Sequence, residues 1–271
     1  MSAVVAASAG SREPVVEIRA ADKVFANGTR ALGPVDLTVR DGEFVTLLGP
    51  SGCGKSTLLN MIANLIAPSS GQLAWWRKGF DDVGEPGRKL VMVFQDATLM
   101  PWARVQRNVR LPLDLARMSR TEGDARVADA LELVGLTGFE ASYPRQLSGG
   151  MQMRVSIARA LVTEPNLLLM DEPFGALDEI TRTRLDADLI RLWWRKKLTV
   201  VFVTHSIYEA IFLSTRVVVM AARPGRVLKD VVIDEPHPRT DAFRVTQKFA
   251  GYAKVLSELL AEASAKGATD L

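Results

Sequence analysis

The stretch Gly49-Pro50-Ser51-Gly52-Cys53-Gly54-Lys55-Ser56-Thr57 fits the pattern G-x-x-x-x-G-K-[ST] at every fixed position. The apolar residues 44–48 before it predict a buried strand, and residues 56–62 after it predict the first turns of a helix. Glycines allow the backbone to curl, so that successive N–H groups and the helix N-terminus face one concavity. Such a concavity binds phosphate, with Lys55 at the β- and γ-phosphates and the Ser56 hydroxyl on Mg²⁺. The stretch therefore predicts a nucleotide site, against the alternative of a glycine-rich turn before an ordinary helix.

The composition is that of an ordinary globular protein of 271 residues, 48% of them apolar and 24% charged. No apolar run approaches the roughly 18 residues that cross a bilayer. The formal net charge is +3, and Lys and Arg are scattered among Asp and Glu, which does not indicate a nucleic-acid groove. The single cysteine, Cys53, excludes an intrachain disulfide and is typical of a reducing compartment. We expect residues 1–14 to form a disordered tail and not a signal peptide.

Apolar strands alternate with helical patterns along the rest of the chain. Four further strands are predicted, over residues 90–94, 166–170, 199–203 and 217–220. Helices are predicted between them, over residues 121–134, 147–161 and 181–197. This alternation favours a parallel, three-layered α/β core, and short strands over residues 15–19 and 37–39 predict an antiparallel β-layer beside it. The polar, helical block in mid-chain is typical of an inserted subdomain.

Polar side chains follow the apolar strands at the point where each strand ends. Besides the glycine-rich stretch they are Gln95, Asp171, Glu172 and His205, and a parallel sheet brings its strand ends to one edge. Carboxylates beside a hydrophobic strand are costly unless they meet a cation or a donor, which Mg²⁺ and nucleotide supply. We predict that Asp171 holds the metal and that Glu172 polarises the attacking water. His205 either bonds the γ-phosphate or orients Glu172, and the alternative is an ordinary strand-end histidine.

Two further features leave alternatives open. Phe25 lies in the loop between the first two strands, where its ring either stacks on an adenine or belongs to the core. Ser148, Gly149 and Gly150 open a helix and so form a second anion-binding terminus, which one chain does not need for its own phosphate. The alternative for Ser148 is a simple N-cap, although an N-cap does not require two glycines after it.

The stretch Leu147-Ser148-Gly149-Gly150-Met151-Gln152 resembles the signature motif of the ATP-binding subunits of ABC transporters. The resemblance runs over residues 15–226, with residues 49–57 similar to Walker A and residues 167–172 similar to Walker B. Gln95 resembles the Q-loop, residues 175–178 the D-loop, and His205 the switch histidine. Within the family, the chain looks like the bacterial importers, on the branch of nitrate, sulfonate and taurine uptake systems.

The resemblance implies a P-loop (RecA-like) parallel-sheet core that binds ATP and Mg²⁺. The implied catalytic residues are Lys55, Gln95, Glu172 and His205. The implied metal ligands are Ser56, Gln95 and Asp171. The implied nucleotide contacts are Phe25, Gly49, Pro50, Ser51, Gly52, Cys53, Gly54, Lys55, Ser56, Thr57, Ser148, Gly149, Gly150 and Asp178.

The implied domain organisation is one ATPase domain over residues 15–235, followed by a C-terminal helical extension over residues 236–271. The ATPase core comprises residues 15–94 and 162–235, with a helical subdomain at about residues 95–161. Helical spacing of apolar residues in the extension predicts one amphipathic helix.

The resemblance also implies an assembly and a task. Two such subunits, expected to be identical, meet head to tail, so that each nucleotide lies between the P-loop of one and the signature motif of the other. A separate membrane permease and, indirectly, a solute-binding protein complete the system at the cytoplasmic face of the inner (plasma) membrane, and no nucleic acid is involved. The expected function is ATP hydrolysis that drives the uptake of a small solute. The alternatives are a P-loop kinase, which gives no reason for residues 147–150, and a non-transport ABC-type ATPase.

Overall fold

Residues 12–268 are described by a computed structural model, and this part of the chain contains nine β-strands and eight α-helices. The strands are β1 (Pro14–Val24), β2 (Arg30–Arg40), β3 (Phe44–Leu48), β4 (Ser70–Trp75), β5 (Leu90–Val93), β6 (Leu167–Asp171), β7 (Thr199–Thr204), β8 (Arg216–Ala221) and β9 (Arg226–Val232). The helices are α1 (Lys55–Ile62), α2 (Val105–Leu115), α3 (Arg120–Leu133), α4 (Gly149–Leu161), α5 (Glu179–Lys196), α6 (Ile207–Leu213), α7 (Asp241–Arg244) and α8 (Gln247–Ala268). Single 3₁₀ turns occur at Phe80–Asp82 and Pro144–Gln146.

The larger sheet has the strand order β5-β6-β7-β3-β8-β9. Its first five strands are parallel, and β9 closes the sheet antiparallel to β8. Every residue of the central strand β3 is buried, including Thr46, whose hydroxyl bonds that of Ser214, as expected for an inner strand of a parallel sheet. In register, Leu48 lies beside Thr204, and Asp171 lies beside Val203. The parallel α/β core is thus confirmed, and the loops after β3, β6 and β7 meet at one edge.

The smaller sheet is antiparallel, with the order β2-β1-β4, and it confirms the predicted β-layer. Strands β1 and β2 have 11 residues each, so the prediction of short strands was wrong about their length. The register between them shifts at several points, and such irregularities interrupt the alternation that marks a strand in sequence. Strand β4 was not predicted because most of its residues are polar or small; Trp75 anchors it by donating its indole N–H to Ile62 O at 2.8 Å.

Helices α2, α3 and α4 lie between β5 and β6 in the chain and pack on one another. Their facing apolar side chains include Val109, Leu131 and Val155, all buried. This is the predicted inserted helical block, which also contains α2, a helix that was not foreseen in the Pro- and Arg-rich stretch. The boundaries predicted for the block and for the core remain predictions.

The two ends of the chain differ from expectation in detail. The predicted disordered tail falls outside the described residues over positions 1–11, whereas Pro14 already pairs with Arg40 in β1. The C-terminal extension contains α7 and α8 in place of one helix, and α8 buries Phe249 and Leu256 against the core. Among the described helices, none combines the length and the apolarity that spanning a membrane demands.

Candidate functional site

The glycine-rich loop joins β3 to α1 and depends on glycine at its end. Gly54 has φ +92°, a left-handed conformation that disfavours a side chain. A Cβ atom on Gly54 would also lie 2.6 Å from Leu32 Cδ2, which is too close for a non-bonded contact. The loop therefore has its curled shape fixed by packing on β2, while Ser51 and Gly52 at its crest are exposed.

Lys55, the first residue of α1, is 4% exposed and turns its ammonium back into the loop. Nζ donates hydrogen bonds to Gly49 O at 2.9 Å and Pro50 O at 3.0 Å, and it lies 4.0 Å from Glu172 Oε1. An ammonium group has three donors, and the two carbonyls together with Cys53 Sγ at 3.9 Å hold it in place inside the loop. A buried cation at the floor of a concavity of N–H groups is a fit for the phosphates of a nucleotide.

Ser56 and Asp171 form the second part of the site. The Ser56 hydroxyl donates to Asp171 Oδ1 at 3.0 Å, which joins α1 to the end of β6. Burial raises the pKa of Asp171, and the hydrogen bond from Ser56 opposes that shift. A hydroxyl and a carboxylate beside a phosphate pocket are the donor set that suits Mg²⁺, which prefers oxygen ligands. Gln95, the third predicted ligand, is exposed after β5, and a Cβ on Gly175 would lie 3.7 Å from its Nε2.

Glu172 and His205 meet at the carboxyl ends of β6 and β7. His205 Nδ1 lies 3.1 Å from Glu172 Oε2, and the side chains are 54% and 25% exposed. Glu172 has φ +43°, which is unusual for a residue with a side chain, and its N–H donates to Val203 O at 3.0 Å. Strained backbone of this kind is concentrated at functional sites. The contact brings Glu172 and His205 together, and the roles predicted for His205 remain predictions.

The signature stretch lies at the N-terminus of α4. The Ser148 hydroxyl accepts a hydrogen bond from the Met151 N–H at 3.3 Å, so the simple N-cap is present. A Cβ on Gly150 would lie 2.6 Å from Thr181 Cγ2, so packing within the chain already requires that glycine. Ser148 and Gly149 are exposed, and in the described residues no hydrogen bond or ion pair connects residues 148–150 to the glycine-rich loop. The N-termini of α1 and α4 are thus separate within one chain, and anion binding at the second remains a prediction.

Of the other predicted nucleotide contacts, Phe25 and Asp178 are exposed and Cys53 is buried. Phe25 is 40% exposed with the Lys23 ammonium 5.5 Å from its ring centroid, so the ring is not part of the core. Asp178 caps α5 by accepting from the Thr181 N–H at 3.0 Å, and this hydrogen bond lowers its pKa. The Cys53 side chain is fully buried, and burial raises the pKa of its thiol. Cys53 Sγ nevertheless accepts a hydrogen bond from Lys55 Nζ at 3.9 Å, so the buried thiol contacts the ammonium inside the loop.

The sequence reasoning missed a buried polar cluster behind His205. It contains Arg182 and Asp186 of α5, Thr204 at the end of β7, Glu209 of α6 and Arg244 of α7. A sequence signal existed, because Glu209 interrupts an apolar helix that begins two residues after His205. A charged residue on a buried helix face needs partners, and such a position marks a network.

The model of the ABC transporter family matches residues 32–175. The chain belongs to this family. An uncharacterized ABC transporter ATP-binding protein of Methanocaldococcus jannaschii is 46% identical over 234 residues, which are 86% of this chain and 85% of that protein. The aliphatic sulfonates import ATP-binding protein SsuB of Bacillus licheniformis is 42% identical over 246 residues, which are 90% of this chain and 93% of SsuB.

Solved structures of ABC cassettes share the fold. The cassette MJ0796, in a dimeric post-hydrolysis state bound to ADP and Pi, has a TM-score of 0.71 at 34% identity and covers 82% of this chain and 100% of that one. The cbiO1 subunit of Clostridium perfringens, part of the complex cbiONQ, has a TM-score of 0.75 at 26% identity over 90% of this chain and 99% of that one. These findings confirm the predicted ABC fold, and this ABC subunit is an ATP-binding protein and an ATPase. The kinase alternative is wrong.

Proposed function

We propose that this ABC subunit is the energy-coupling ATPase of an importer for a small solute of the sulfonate, taurine or nitrate kind. The observation that carries the proposal is the division of the site. Lys55, the Ser56–Asp171 pair and the Glu172–His205 pair converge at one sheet edge, whereas the exposed Ser148–Gly149 terminus makes no hydrogen bond with them among the described residues. The kinship with SsuB proteins, which their names describe as aliphatic sulfonates importers, supports the solute class.

Within one chain, each group has a role that follows from its position. The loop N–H groups and Lys55 bind the β- and γ-phosphates of ATP, and the exposed ring of Phe25 stacks on the adenine. Ser56 and Asp171, with Gln95 nearby, would hold Mg²⁺, which neutralises charge on the phosphate oxygens. Glu172 orients the attacking water and accepts its proton as the bond from the γ-phosphorus to the bridging oxygen breaks and ADP leaves. His205 fixes Glu172 through Nδ1 and directs its other nitrogen toward the γ-phosphate.

The second half of the pocket comes from another copy of the chain, arranged head to tail. The exposed N-terminus of α4, with Ser148 and Gly149, closes over the γ-phosphate bound to the partner's loop. The structural relative MJ0796 is described as dimeric in its ADP- and Pi-bound state, which supports this arrangement.

Transport itself takes place in a separate permease, to which this subunit binds peripherally at the cytoplasmic face of the inner membrane. The helical block is the contact we propose, because Trp102 and Leu115 there are both 77% exposed and such apolar exposure favours a protein interface. A solute-binding protein delivers the solute to the permease from the other side. Co-purification of the subunit with an integral membrane permease checks this part of the proposal.

The two-chain pocket is tested with Ser148→Arg in a Glu172→Gln background, which slows hydrolysis and so preserves the ATP-bound state. We expect ATP binding by each chain to persist and ATP-driven dimerisation, measured by light scattering, to be lost, because the arginine blocks closure. The matched control is Ser119→Arg, which changes the N-cap of α3, whose hydroxyl accepts from the Glu122 N–H at 3.3 Å. Dimerisation that is equal in the two variants would contradict the shared pocket.

A further inference from the structure

The loop over residues 174–178 is held in place by hydrogen bonds from Arg182. Arg182 of α5 donates from Nη2 to Leu177 O at 2.9 Å and from Nε to Phe174 O at 3.3 Å. Its side chain is 20% exposed. In the head-to-tail arrangement this loop lies beside the partner, since it adjoins the signature helix through Leu177. A displacement of the loop therefore changes the hydrogen bonds of the Arg182 guanidinium group.

Glu209 holds the segment that carries the switch histidine. One of its carboxylate oxygens, Oε2, accepts a hydrogen bond from the Thr204 hydroxyl, and the same hydroxyl accepts from the Ser206 N–H at 3.0 Å. Thr204 and Ser206 flank His205, so these bonds fix the backbone on both sides of the histidine. Glu209 is 5% exposed, which leaves little freedom for its side chain.

The two residues share an incomplete contact. Arg182 Nε lies 3.7 Å from Glu209 Oε1, beyond hydrogen-bond distance, and Oε1 has no hydrogen-bond donor among the described residues. The same N–H therefore has two acceptors within reach, the Phe174 carbonyl that it bonds and the buried carboxylate oxygen that lacks a partner. An unsatisfied buried acceptor is costly, so a small displacement of the loop lets Nε exchange Phe174 O for Glu209 Oε1. The Arg182 Nε–H thus has two discrete arrangements, one bonded to Phe174 O and one to Glu209 Oε1. Coupling between two sites requires an element with two such arrangements.

We propose that Arg182 and Glu209 are positioning residues that make the loop over residues 174–178 and His205 move together. When a partner chain displaces the loop, Arg182 Nε exchanges its hydrogen bond to Phe174 O for one to Glu209 Oε1. Glu209 then shifts Thr204, and this moves His205, which orients Glu172. Contact between the two chains thereby changes the orientation of the catalytic carboxylate, Glu172. This inference rests on the proposed roles of His205 and Glu172.

The experiment compares Glu209→Gln with Asp186→Asn in steady-state ATPase assays of the full chain. Asp186 is an equally buried carboxyl of the same cluster, 2% exposed, but it bonds Arg244 at 2.9 Å, and within the described part of the chain no hydrogen bond connects it to the loop or to Thr204. We expect Glu209→Gln to lower kcat about tenfold with the KM for ATP within about twofold, as for a small misplacement of catalytic groups. Asp186→Asn is expected to keep kcat within about twofold of wild type, while its change in Tm is similar to that of Glu209→Gln. Arg182→Lys, which keeps the charge but loses the fork, is expected to behave as Glu209→Gln.

A second measurement separates positioning from general damage. In a His205→Ala background, Glu209→Gln is expected to cause no additional loss of turnover, because its effect passes through the histidine. Single-turnover assays with excess protein extend this comparison to low rates. Equal losses in Glu209→Gln and Asp186→Asn, or an undiminished loss in the His205→Ala background, would overturn the inference and leave the proposed function intact. If His205→Ala itself hydrolyses ATP at the wild-type rate, the proposed role of His205 and the inference both fail.

Discussion

The two histidines of the chain lie at opposite edges of the same sheet and in opposite environments. His205 follows β7 at the carboxyl edge, is 54% exposed, and contacts Glu172. His237 lies at the amino edge beside Trp193 and Trp194, with ring centroids 4.7 and 6.4 Å away, and lines a cavity of about 550 Å³. Neither ring nitrogen of His237 has a hydrogen-bond partner among the described residues. Burial and, to a smaller extent, the charge of Arg239 lower the pKa of His237 to about 3.

This contrast shows that polar residues near a strand are informative only together with the strand's direction. At the amino edge, the hydroxyl groups of Thr199 and Thr215 bond the backbone at Gly42 and Phe44 and thus complete the fold. At the carboxyl edge, polar side chains from separate strands bond one another around an open concavity. Because ligands bind beyond the carboxyl ends of parallel strands, only the second edge is expected to respond to nucleotide.

The strongest test of the carboxyl edge is Glu172→Gln. The amide cannot accept the proton of the attacking water, so we expect turnover to fall roughly 100-fold or more while ATP binding is retained. Steady-state phosphate release and equilibrium binding of a fluorescent ATP analogue measure the two quantities. A wild-type rate in this variant would show that another group activates the water.

The comparison of the edges is sharpened by exchanging each histidine in turn. We expect His205→Ala to lower turnover by roughly 10- to 100-fold, because Glu172 loses its orienting partner and the phosphate loses a donor. His237→Phe keeps an aromatic ring between the tryptophans, and we expect its turnover to stay within about twofold of wild type. Comparable losses in both variants, at matched Tm, would mean that the amino edge also takes part in catalysis.

The smallest expected effects are on stability and have opposite signs with pH. His237 has a depressed folded pKa, so its contribution to stability is complete above its unfolded pKa of about 6.5 and is lost as the pH falls toward 3. Burial raises the pKa of Asp186 to about 7, so its contribution is complete below its unfolded pKa of about 3.9 and is lost as the pH rises toward 7. We expect His237→Phe to reduce the fall in Tm between pH 7 and pH 5 by a few degrees.

Asp186→Asn is the complementary variant, and it is expected to reduce the fall in Tm between pH 5 and pH 8 by a similar amount. Calorimetry over this pH range in a common buffer series measures both slopes. Parallel Tm curves for wild type and both variants would show that neither group titrates differently in the folded and unfolded states.

The sequence is sufficient for those parts of the site that depend on local spacing. The glycine-rich loop, Asp171 and Glu172 lie within a few residues of a continuous apolar run, so their positions follow once the strands are recognised. The parallel order of the strands then places His205 at the same edge. The ABC signature motif identified the family, and the comparisons confirmed it.

The features that could not be predicted depend on contacts between distant parts of the chain. Strand β4 forms because Leu73 and Trp75 pair with β1, and its own residues give little strand signal. The requirement for glycine at position 150 comes from Thr181, 31 positions later in the sequence. The burial of His237 similarly depends on the tryptophans of α5. Periodicity reports how one segment is solvated, and it contains no information on which segments meet.

The docking of α8 bears on the order in which parts of the chain gain their support. Phe249, Leu256 and Ala263 fill the main apolar core together with Ala210 and Phe212 of α6, the helix that begins two residues after His205. These residues are synthesised after the glycine-rich loop over residues 49–57, which lies well before them in the sequence. A nascent chain on the ribosome therefore has its phosphate-binding loop long before α6 acquires its support. The carboxyl edge is therefore assembled in two steps, with the glycine-rich loop made first and α6 supported only once α8 has been synthesised.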